Sequence, residues 1–330
     1  MSESFKMVKS DLDRVMTVLG PVAAESLGVT DAHNHMWIAP VPGAQPGVPV
    51  LFDQSAIAAE LGDYRQSGGG AQIDCQPGGC GRDGRFLSEL SRASGVHIVA
   101  CTGFHLEGYY APNYWLWRST LEEASTYFVR ELTHGLEETI GMAPPVRAGF
   151  IKVACQRTLA ETSGTLLEAA AMASRETGAA IEIHTEQGAS AEEIGAFFTR
   201  HGVGTERLVL CHMDKRPDIG LHRALARAGV MLEYDTFYRP QYQPEQRVWH
   251  LVEQMVADGL EQQFAIGTDM AHAAMWSRLG TGPGLAGLTT CIVPRLQSIG
   301  FALATVQRLV GENIAARLAR PVPQPTPIRH

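Results

Sequence analysis

Short apolar runs alternate with amphipathic stretches along most of the chain. The runs show little polar alternation, which is typical of strands that helices cover on both faces. Eight runs are predicted as strands: 29–33, 68–74, 96–101, 149–153, 180–184, 208–212, 230–234 and 263–267. Helical spacing predicts helices at 53–65, 85–94, 121–138, 165–177, 191–200, 219–228, 245–258 and 301–318. Eight strand–helix units favour a closed (β/α)8 TIM barrel, with enlarged loops on its C-terminal face, over an open sheet with a glycine-rich phosphate turn.

Polar residues interrupt these apolar runs at the carboxyl ends of the predicted strands. His33 and His35 are one residue apart, and alternate residues on a strand face the same side, so both imidazoles leave on one face. In a barrel the strand ends meet at one rim, where barrel enzymes carry their chemistry. Six ligand-type side chains are therefore predicted to converge there: His33, His35, Lys152, His184, His212 and Asp269.

Each of these residues also has an ordinary structural interpretation. A single histidine at a strand end is usually a hydrogen-bonded packing residue. Lys152 could extend its amine to the rim, and Asp269 could cap a helix that begins near Met270. Their joint occurrence favours a site instead. A buried lysine beside four histidines, with no matching acid, would be costly as an ammonium ion, and metal coordination gives such a cluster a role.

Composition narrows the class of protein. The 330 residues carry a net charge of −8, with 45% hydrophobic and 19% charged residues, which allows a large core and argues against a nucleic-acid surface. No signal-like or membrane-spanning run is evident, and the six dispersed cysteines are expected to be reduced. We expect a cytoplasmic single-domain protein over 1–330, with a short N-terminal extension at 1–20 and a proline-rich tail at 320–330.

The order of the strand-end residues, His-x-His, Lys, His, His and Asp on strands one, four, five, six and eight, resembles the phosphotriesterase-like branch of the amidohydrolase superfamily. The resemblance spans nearly the whole chain, and its motifs are specific in combination. The supporting segments are Ile73-Asp-Cys-Gln-Pro77, Gly81-Arg-Asp83, Thr102-Gly-Phe104, Gly149-Phe-Ile-Lys152 and Gly311-Glu-Asn-Ile-Ala315.

The resemblance implies a binuclear metal centre. Zinc suits imidazole and carboxylate ligands, with manganese or cobalt as alternatives. Two such ions lower the pKa of a bridging water towards ~7, and the hydroxide attacks an electrophilic centre while Asp269 transfers the proton. The implied ligands are His33, His35 and Asp269 for one ion, His184 and His212 for the other, and N6-carboxylated Lys152 as the bridge.

The loops after strands six and seven indicate the substrate. Segments 211–218 and 234–242 resemble the subgroup of this branch that hydrolyses sugar lactones, some of them phosphorylated. In that subgroup a Lys, an Arg and a Tyr bind the anionic end of the substrate, and these match Lys215, Arg239 and Tyr242. Arginine offers a planar fork and lysine a point charge to such a group.

Three residues near His212 in the sequence also have ordinary structural interpretations. Lys215 and Arg216 could instead be solvated charges that pair with the acids at 214 and 218. Cys211 is expected to be a small core residue that points away from His212, because neighbours on a strand face opposite sides.

The loop 105–117 is rich in aromatic residues. His105 and Tyr109 are predicted to line the substrate pocket, but the loop could equally pack on itself or form a dimer contact. Relatives often carry a tyrosine at the position of His105, so a tyrosine that polarises the carbonyl is not assumed here.

The sequence therefore predicts a metal-dependent hydrolase, with a homodimer as the expected assembly. A metal-bridging hydroxide would attack the carbonyl of a small, polar, anionic sugar-type lactone. The alternatives are a phosphotriesterase acting on organophosphate esters, a hydrolase of a carboxylic ester or N-acyl amide, and a barrel that binds a ligand without turnover. A pocket with Lys215 and Arg239 disfavours neutral, apolar triesters.

Overall fold

A computed structural model of the chain describes residues 13–322. Within this range, eight parallel strands form one sheet in which each strand pairs with the next in chain order. The strands are β1 (Val29–Asn34), β2 (Gly69–Asp74), β3 (His97–Gly103), β4 (Phe150–Ala154), β5 (Ile181–His184), β6 (Leu208–Cys211), β7 (Met231–Tyr234) and β8 (Phe264–Ile266).

The sheet curls into a nearly closed barrel. The backbone N–H of Asp269, just after β8, donates to the carbonyl oxygen of His33 on β1 at 2.9 Å, which joins the last strand to the first. The predicted (β/α)8 class is confirmed. All eight strands lie within two residues of their predicted bounds, because strands buried on both faces leave a clear apolar signature.

Helices follow the strands around the outside of the barrel. Asp53 caps α1 by accepting from Ala56 N–H, and Thr120 with Glu123 forms a capping box at the start of α3. The helices are α1 (Gln54–Gln66), α2 (Gly84–Ser94), α3 (Leu121–Thr133), α4 (Gly164–Thr177), α5 (Ala191–Arg200), α6 (Ile219–Arg227), α7 (Val248–Ala257), α8 (Val293–Ser298), α9 (Leu303–Gln307) and α10 (Asn313–Leu318).

Three helical segments differ from the prediction. The helix predicted to reach 138 ends at Thr133, where the chain turns at Gly135. The helix predicted at 301–318 is broken into α9, a π turn at Arg308–Glu312 and α10. A Cβ at Gly311 would collide with the carbonyl of Gly28, so tertiary contact places the break. The helix α8 and the π turn before it were not predicted.

A small sheet lies beside the barrel. Asp13–Thr17 pairs with Gly20–Val22 in a hairpin, and Arg320–Pro321 pairs antiparallel with the first of these strands. The predicted extension therefore contains a strand and a turn from residue 13 onward, and the rest of the extension and of the tail lies outside the described residues. Across residues 13–322, the helices are too short or too polar to cross a bilayer.

Candidate active site

Two histidines on β1 begin the site. The Nδ1–H of His33 donates to Oε2 of Glu233 at 3.0 Å, and the Nδ1–H of His35 donates to Oε1 of Gln76 at 2.9 Å. With Nδ1 protonated, Nε2 of each ring carries the lone pair that can bind a metal ion. Nε2 of His35 lies 3.7 Å from Oδ1 of Asp269. Zinc binds nitrogen and oxygen ligands at about 2.0–2.2 Å, so two such atoms 3.7 Å apart can share one ion.

The loop after β8 holds Asp269 against β1. A Cβ at Gly267 would lie 2.8 Å from His33, so only glycine allows this close approach. Thr268 donates from its backbone N–H to Asp31 at 3.0 Å and from its hydroxyl at 2.5 Å. Asp269 itself has a φ of 45°. Left-handed backbone outside glycine is uncommon and is concentrated at functional sites, where surrounding bonds enforce it.

His184 and His212 form the second nitrogen pair. Nε2 of His212 lies 2.9 Å from Nδ1 of His184. His212 follows the last residue of β6 with a φ of 61°, so the chain leaves the strand conformation at this ligand position. Its backbone N–H donates to Oδ2 of Asp235 at 3.0 Å, and its Nδ1 lies 2.7 Å from the same oxygen. Asp235 thus secures the strained turn.

Lys152 lies on β4 and is buried. The parallel register pairs it with Glu182 on β5, and its Nζ donates to Oε1 of that residue at 3.3 Å. The expectation of a lysine without a matching acid was therefore wrong. Nζ also lies 3.2 Å from Sγ of Cys211. Cys211 faces the barrel interior, contrary to prediction, because the left-handed turn at His212 breaks the alternation from which its direction was inferred.

The electrostatic environment favours neutral imidazoles. Burial lowers the pKa of His35 to about 4, although Asp269 opposes this shift. Burial, followed by the positive charge of Lys152, holds the pKa of His33 well below its ordinary value. Burial, followed by Lys215, does the same for the pKa of His212. A histidine binds metal through an unprotonated nitrogen, so these rings are ready to act as ligands.

We expect the ring of His35 in the metal-free protein to stay neutral down to about pH 5 and to titrate near the low pKa set by its burial, about 4. Histidine-selective carbon-13 NMR of labelled protein would follow its Cε1 resonance, assigned with the His35→Asn variant. A midpoint near the ordinary value of about 6.5 would contradict the neutral, metal-ready ring.

Of the three residues predicted to bind an anion, Lys215 and Tyr242 contact each other. Arg239 instead contacts Asp269, a predicted metal ligand. Nζ of Lys215 lies 5.4 Å from the ring centroid of Tyr242, within cation–π range. Nη2 of Arg239 donates to Oδ2 of Asp269 at 2.6 Å. Burial would raise the pKa of Asp269, but the charges of Arg239 and Lys215 outweigh it and hold that pKa below its usual value.

The alternative pairing of Lys215 with neighbouring acids is not what the structure shows. Asp218 accepts from Leu221 N–H as the N-cap of α6, and Asp214 accepts from the backbone and hydroxyl of Thr236. Arg216 pairs with Glu192 at 3.0 Å, and both side chains are exposed. Lys215 therefore forms no ion pair with either acid within residues 13–322, and its charge lowers the pKa of His212 and of Asp269.

The aromatic loop divides into two parts. The His105 ring centroid lies 5.5 Å from that of His184, and the Tyr109 ring lies 3.9 Å from that of His105. These two residues therefore extend the site from the histidine pair. Tyr110 is buried, its hydroxyl accepts from His105 N–H at 2.9 Å, and its ring packs on Tyr114 and Trp117. This part of the loop packs on itself.

The donor set fits divalent metal. The ligand atoms of His33, His35 and Asp269 all lie within 4.8 Å of one another, and all three residues are buried. Nε2 of His184 is buried, and Oε2 of Glu186, at 3.6 Å, lies just beyond hydrogen-bond distance. Imidazole and carboxylate groups that are dehydrated and convergent suit zinc and similar ions.

Sequence reasoning missed the acids that support these ligands. Glu182 lies two residues before His184, and Glu233 lies two residues before Asp235, so each strand repeats a polar residue on its inner face. This alternation inside apolar strands was the available signal.

Comparison with known proteins places this site in a family. The family model described as Phosphotriesterase family matches residues 13–317. The chain belongs to the phosphotriesterase family. This family is metal-dependent, which agrees with the buried clusters of histidine and carboxylate.

Proteins with differing named activities are similar to this chain. An N-acetyltaurine hydrolase from Salmo salar is 25% identical, over 91% of this chain and 96% of its own length. A phospho-furanose lactonase from Mycoplasmopsis synoviae is 26% identical, over 90% of this chain and 89% of its own length. The crystal structure of a lactonase from Listeria monocytogenes superposes with a TM-score of 0.84 at 25% identity, covering 92% and 98% of the two chains. The chain is thus a metal-dependent hydrolase.

Proposed function

We propose that this protein is a binuclear metal-dependent hydrolase that opens a small sugar-type lactone carrying a phosphate or carboxylate. The observation that carries the proposal is the contact between Lys215 and Tyr242, which lie on the loops after β6 and β7, at the end of the barrel where the histidines and Asp269 converge. The named activities of the relatives support it, because a phospho-furanose lactone and N-acetyltaurine share a hydrolysable carbonyl group and an anionic end.

The residues of the proposed centre divide the work. His33, His35 and Asp269 would hold one ion, and His184 with His212 would hold the other. Divalent ions bound there would polarise the carbonyl oxygen and lower the pKa of a water molecule towards ~7. Zinc is the metal we expect, with manganese or cobalt as alternatives, and carboxylated Lys152 would be the bridge between the ions.

Asp269 is the proposed proton carrier. Arg239 holds one of its oxygens at 2.6 Å, and the backbone bond from Asp269 to His33 fixes its position. Its depressed pKa keeps it ionised near neutral pH, so it can accept a proton from the attacking water and pass it to the leaving oxygen. His105 and Tyr109 would form the wall beside His184.

Lys215 and Tyr242 would bind the anionic end of the substrate. Lys215 brings a positive charge and Tyr242 a hydroxyl, and both lie on loops at the same rim as Asp269. A phosphate or carboxylate placed there would replace the solvent around the ammonium group with charge-assisted hydrogen bonds. The reacting carbonyl would then lie towards the histidines.

A substrate panel tests the proposal. Purified protein loaded with zinc or manganese would be assayed against sugar lactones, the same lactones bearing phosphate, N-acetyltaurine and an organophosphate triester. Faster hydrolysis of phosphorylated lactones is the expected result. Turnover of the triester alone would refute the proposal.

Hydrolysis of an N-acyl amide is the second candidate. It is favoured by the similarity to the N-acetyltaurine hydrolases, since the sulfonate of that substrate suits the same cationic group. Turnover of N-acetyltaurine with no turnover of any lactone would replace the first candidate with this one.

Replacing Lys215 with methionine should raise KM for an anionic substrate by about tenfold, with KM for its neutral counterpart unchanged, because one charge-assisted contact is lost. Steady-state kinetics on a lactone with and without phosphate would measure the difference. The matched control is Arg216→Met, which removes the next cation along the chain, one that pairs with Glu192 outside the site. Equal effects of the two variants would contradict the assigned role of Lys215.

A further inference from the structure

We propose that Glu182 is a positioning residue for Lys152, accepting a hydrogen bond from Nζ so that the carboxylated amine is held in the orientation that serves as a metal bridge. The inference rests on the proposed function, because it requires Lys152 to be carboxylated. It concerns an acid that lies outside the predicted ligand set and does not itself need to touch a metal ion.

The fold places the two side chains together by register. Lys152 on β4 and Glu182 on β5 are direct partners in the parallel ladder, and both side chains enter the barrel interior, where Lys152 is 1% and Glu182 0% exposed. Oε1 of Glu182 lies 3.3 Å from Nζ. Neighbouring strands fix this pairing, so the lysine has little freedom to turn away from the acid.

Glu182 is itself held in place. The Sγ–H of Cys75 donates to Oε1 at 2.7 Å, and Sγ of Cys211 lies 3.7 Å from the same atom. Nδ1 of His33 lies 3.4 Å from it. Besides Lys152 on β4, this carboxylate oxygen therefore meets groups from β1, from β6 and from the residue after β2, which makes Glu182 a fixed acceptor beneath the histidine rim.

Carboxylation keeps the hydrogen bond that Glu182 needs. The ammonium group of Lys152 first loses one proton to water. The neutral amine then attacks carbon dioxide, an N–C bond forms as one C=O π bond opens, a second N–H proton leaves to water, and the product R–NH–COO⁻ retains a single N–H. That N–H can donate to Oε1 of Glu182. The group is planar, so a hydrogen bond that holds the N–H also fixes the plane in which both oxygens lie.

Two substitutions of Glu182 distinguish a role of its oxygen position from a role of its negative charge. Glu182→Gln keeps an oxygen at the same reach but removes the negative charge. Glu182→Asp keeps the charge but withdraws the oxygens by about 1.5 Å, the length of one C–C bond, which takes them beyond hydrogen-bond reach of Nζ. A positioning role predicts that aspartate is the more damaging change, whereas a role through charge alone predicts the reverse.

The readouts are carboxylation and metal affinity rather than turnover. Protein equilibrated with ¹³C-bicarbonate and zinc would be examined by NMR for the carbamate carbon, and zinc affinity would be measured by competition with a chelator. We expect Glu182→Asp to lose the carbamate signal and to bind zinc about 10- to 100-fold more weakly, with Glu182→Gln close to wild type. In a Lys152→Met background, Glu182→Asp should cause no further loss of affinity.

The outcomes are distinguishable. A wild-type protein with no carbamate signal would overturn the carboxylated bridge and this inference with it. A carbamate in the wild type, combined with equal effects of the two variants or a larger effect of glutamine, would overturn the positioning role alone. Glu60→Gln is the control for a buried acid, because Glu60 accepts from Ser277 and Arg278 rather than from a proposed ligand.

Discussion

Replacing Lys152 with alanine should remove metal and activity together. Lys152 is buried beneath the convergent histidines, and in the proposed centre it is the group that both ions share. Loss of metal assistance worth about 4 kcal/mol corresponds to a fall of about 10³-fold in kcat/KM. Elemental analysis and steady-state kinetics on the best lactone substrate would measure the two effects on the same preparation.

Alanine leaves a cavity in the barrel, so Lys152→Met is the matched variant. Methionine fills similar space and removes only the amine, and it also leaves Glu182 without its partner. Thermal unfolding would establish that each variant is folded before metal is measured. A folded Lys152→Met protein that retains two ions and wild-type kcat/KM would contradict the bridging role.

The barrel was predictable because the same pattern, an apolar strand followed by an amphipathic helix, recurs along the chain. A parallel strand covered on both faces must be apolar throughout, and a helix that covers it must be amphipathic. The convergence of His33, His184 and Asp269 follows from the same topology, since the ends of parallel strands meet at one rim. Their catalytic roles stay predictions.

Other features depended on contacts that the sequence pattern does not encode. The pairing of Lys152 with Glu182 is set by the register between β4 and β5, which residue periodicity alone leaves open. The inward direction of Cys211 depends on one left-handed residue, His212, whose conformation is secured by Asp235 on another strand. Breaks in the last helix likewise follow from tertiary contact at Gly311.

Two acidic residues at the end of β7 orient histidines that lie on other strands. Asp235 on the loop after β7 and Glu233 within β7 each meet an imidazole nitrogen, His212 and His33 respectively. A strand that supplies no predicted ligand therefore orients two of them. Carboxylates in this position fix the tautomer and raise the basicity of the ligating nitrogen. Strands without a predicted metal ligand, such as β7, therefore also contribute residues to the site.

Asp269→Asn should lower kcat by about 10²- to 10⁴-fold even when metal is held at saturation, because the amide cannot accept a proton in its place. The change preserves side-chain volume and can keep the bond from Arg239, whose Nη2 donates to Oδ2 at 2.6 Å. What it removes is the negative charge between Arg239 and His35. Saturating zinc separates this effect on proton transfer from the weaker metal binding that a neutral ligand also causes.

The control for Asp269→Asn is Asp218→Asn. Asp218 caps α6 by accepting from Leu221 N–H at 3.1 Å, and asparagine is an equally good cap, so stability and kcat should both be retained. If Asp269→Asn keeps wild-type kcat at saturating metal, proton transfer must pass through another group, and Asp269 would be reduced to holding the metal ion. The difference between these two aspartates therefore decides whether the residue at the end of β8 takes part in bond breaking or only in metal binding.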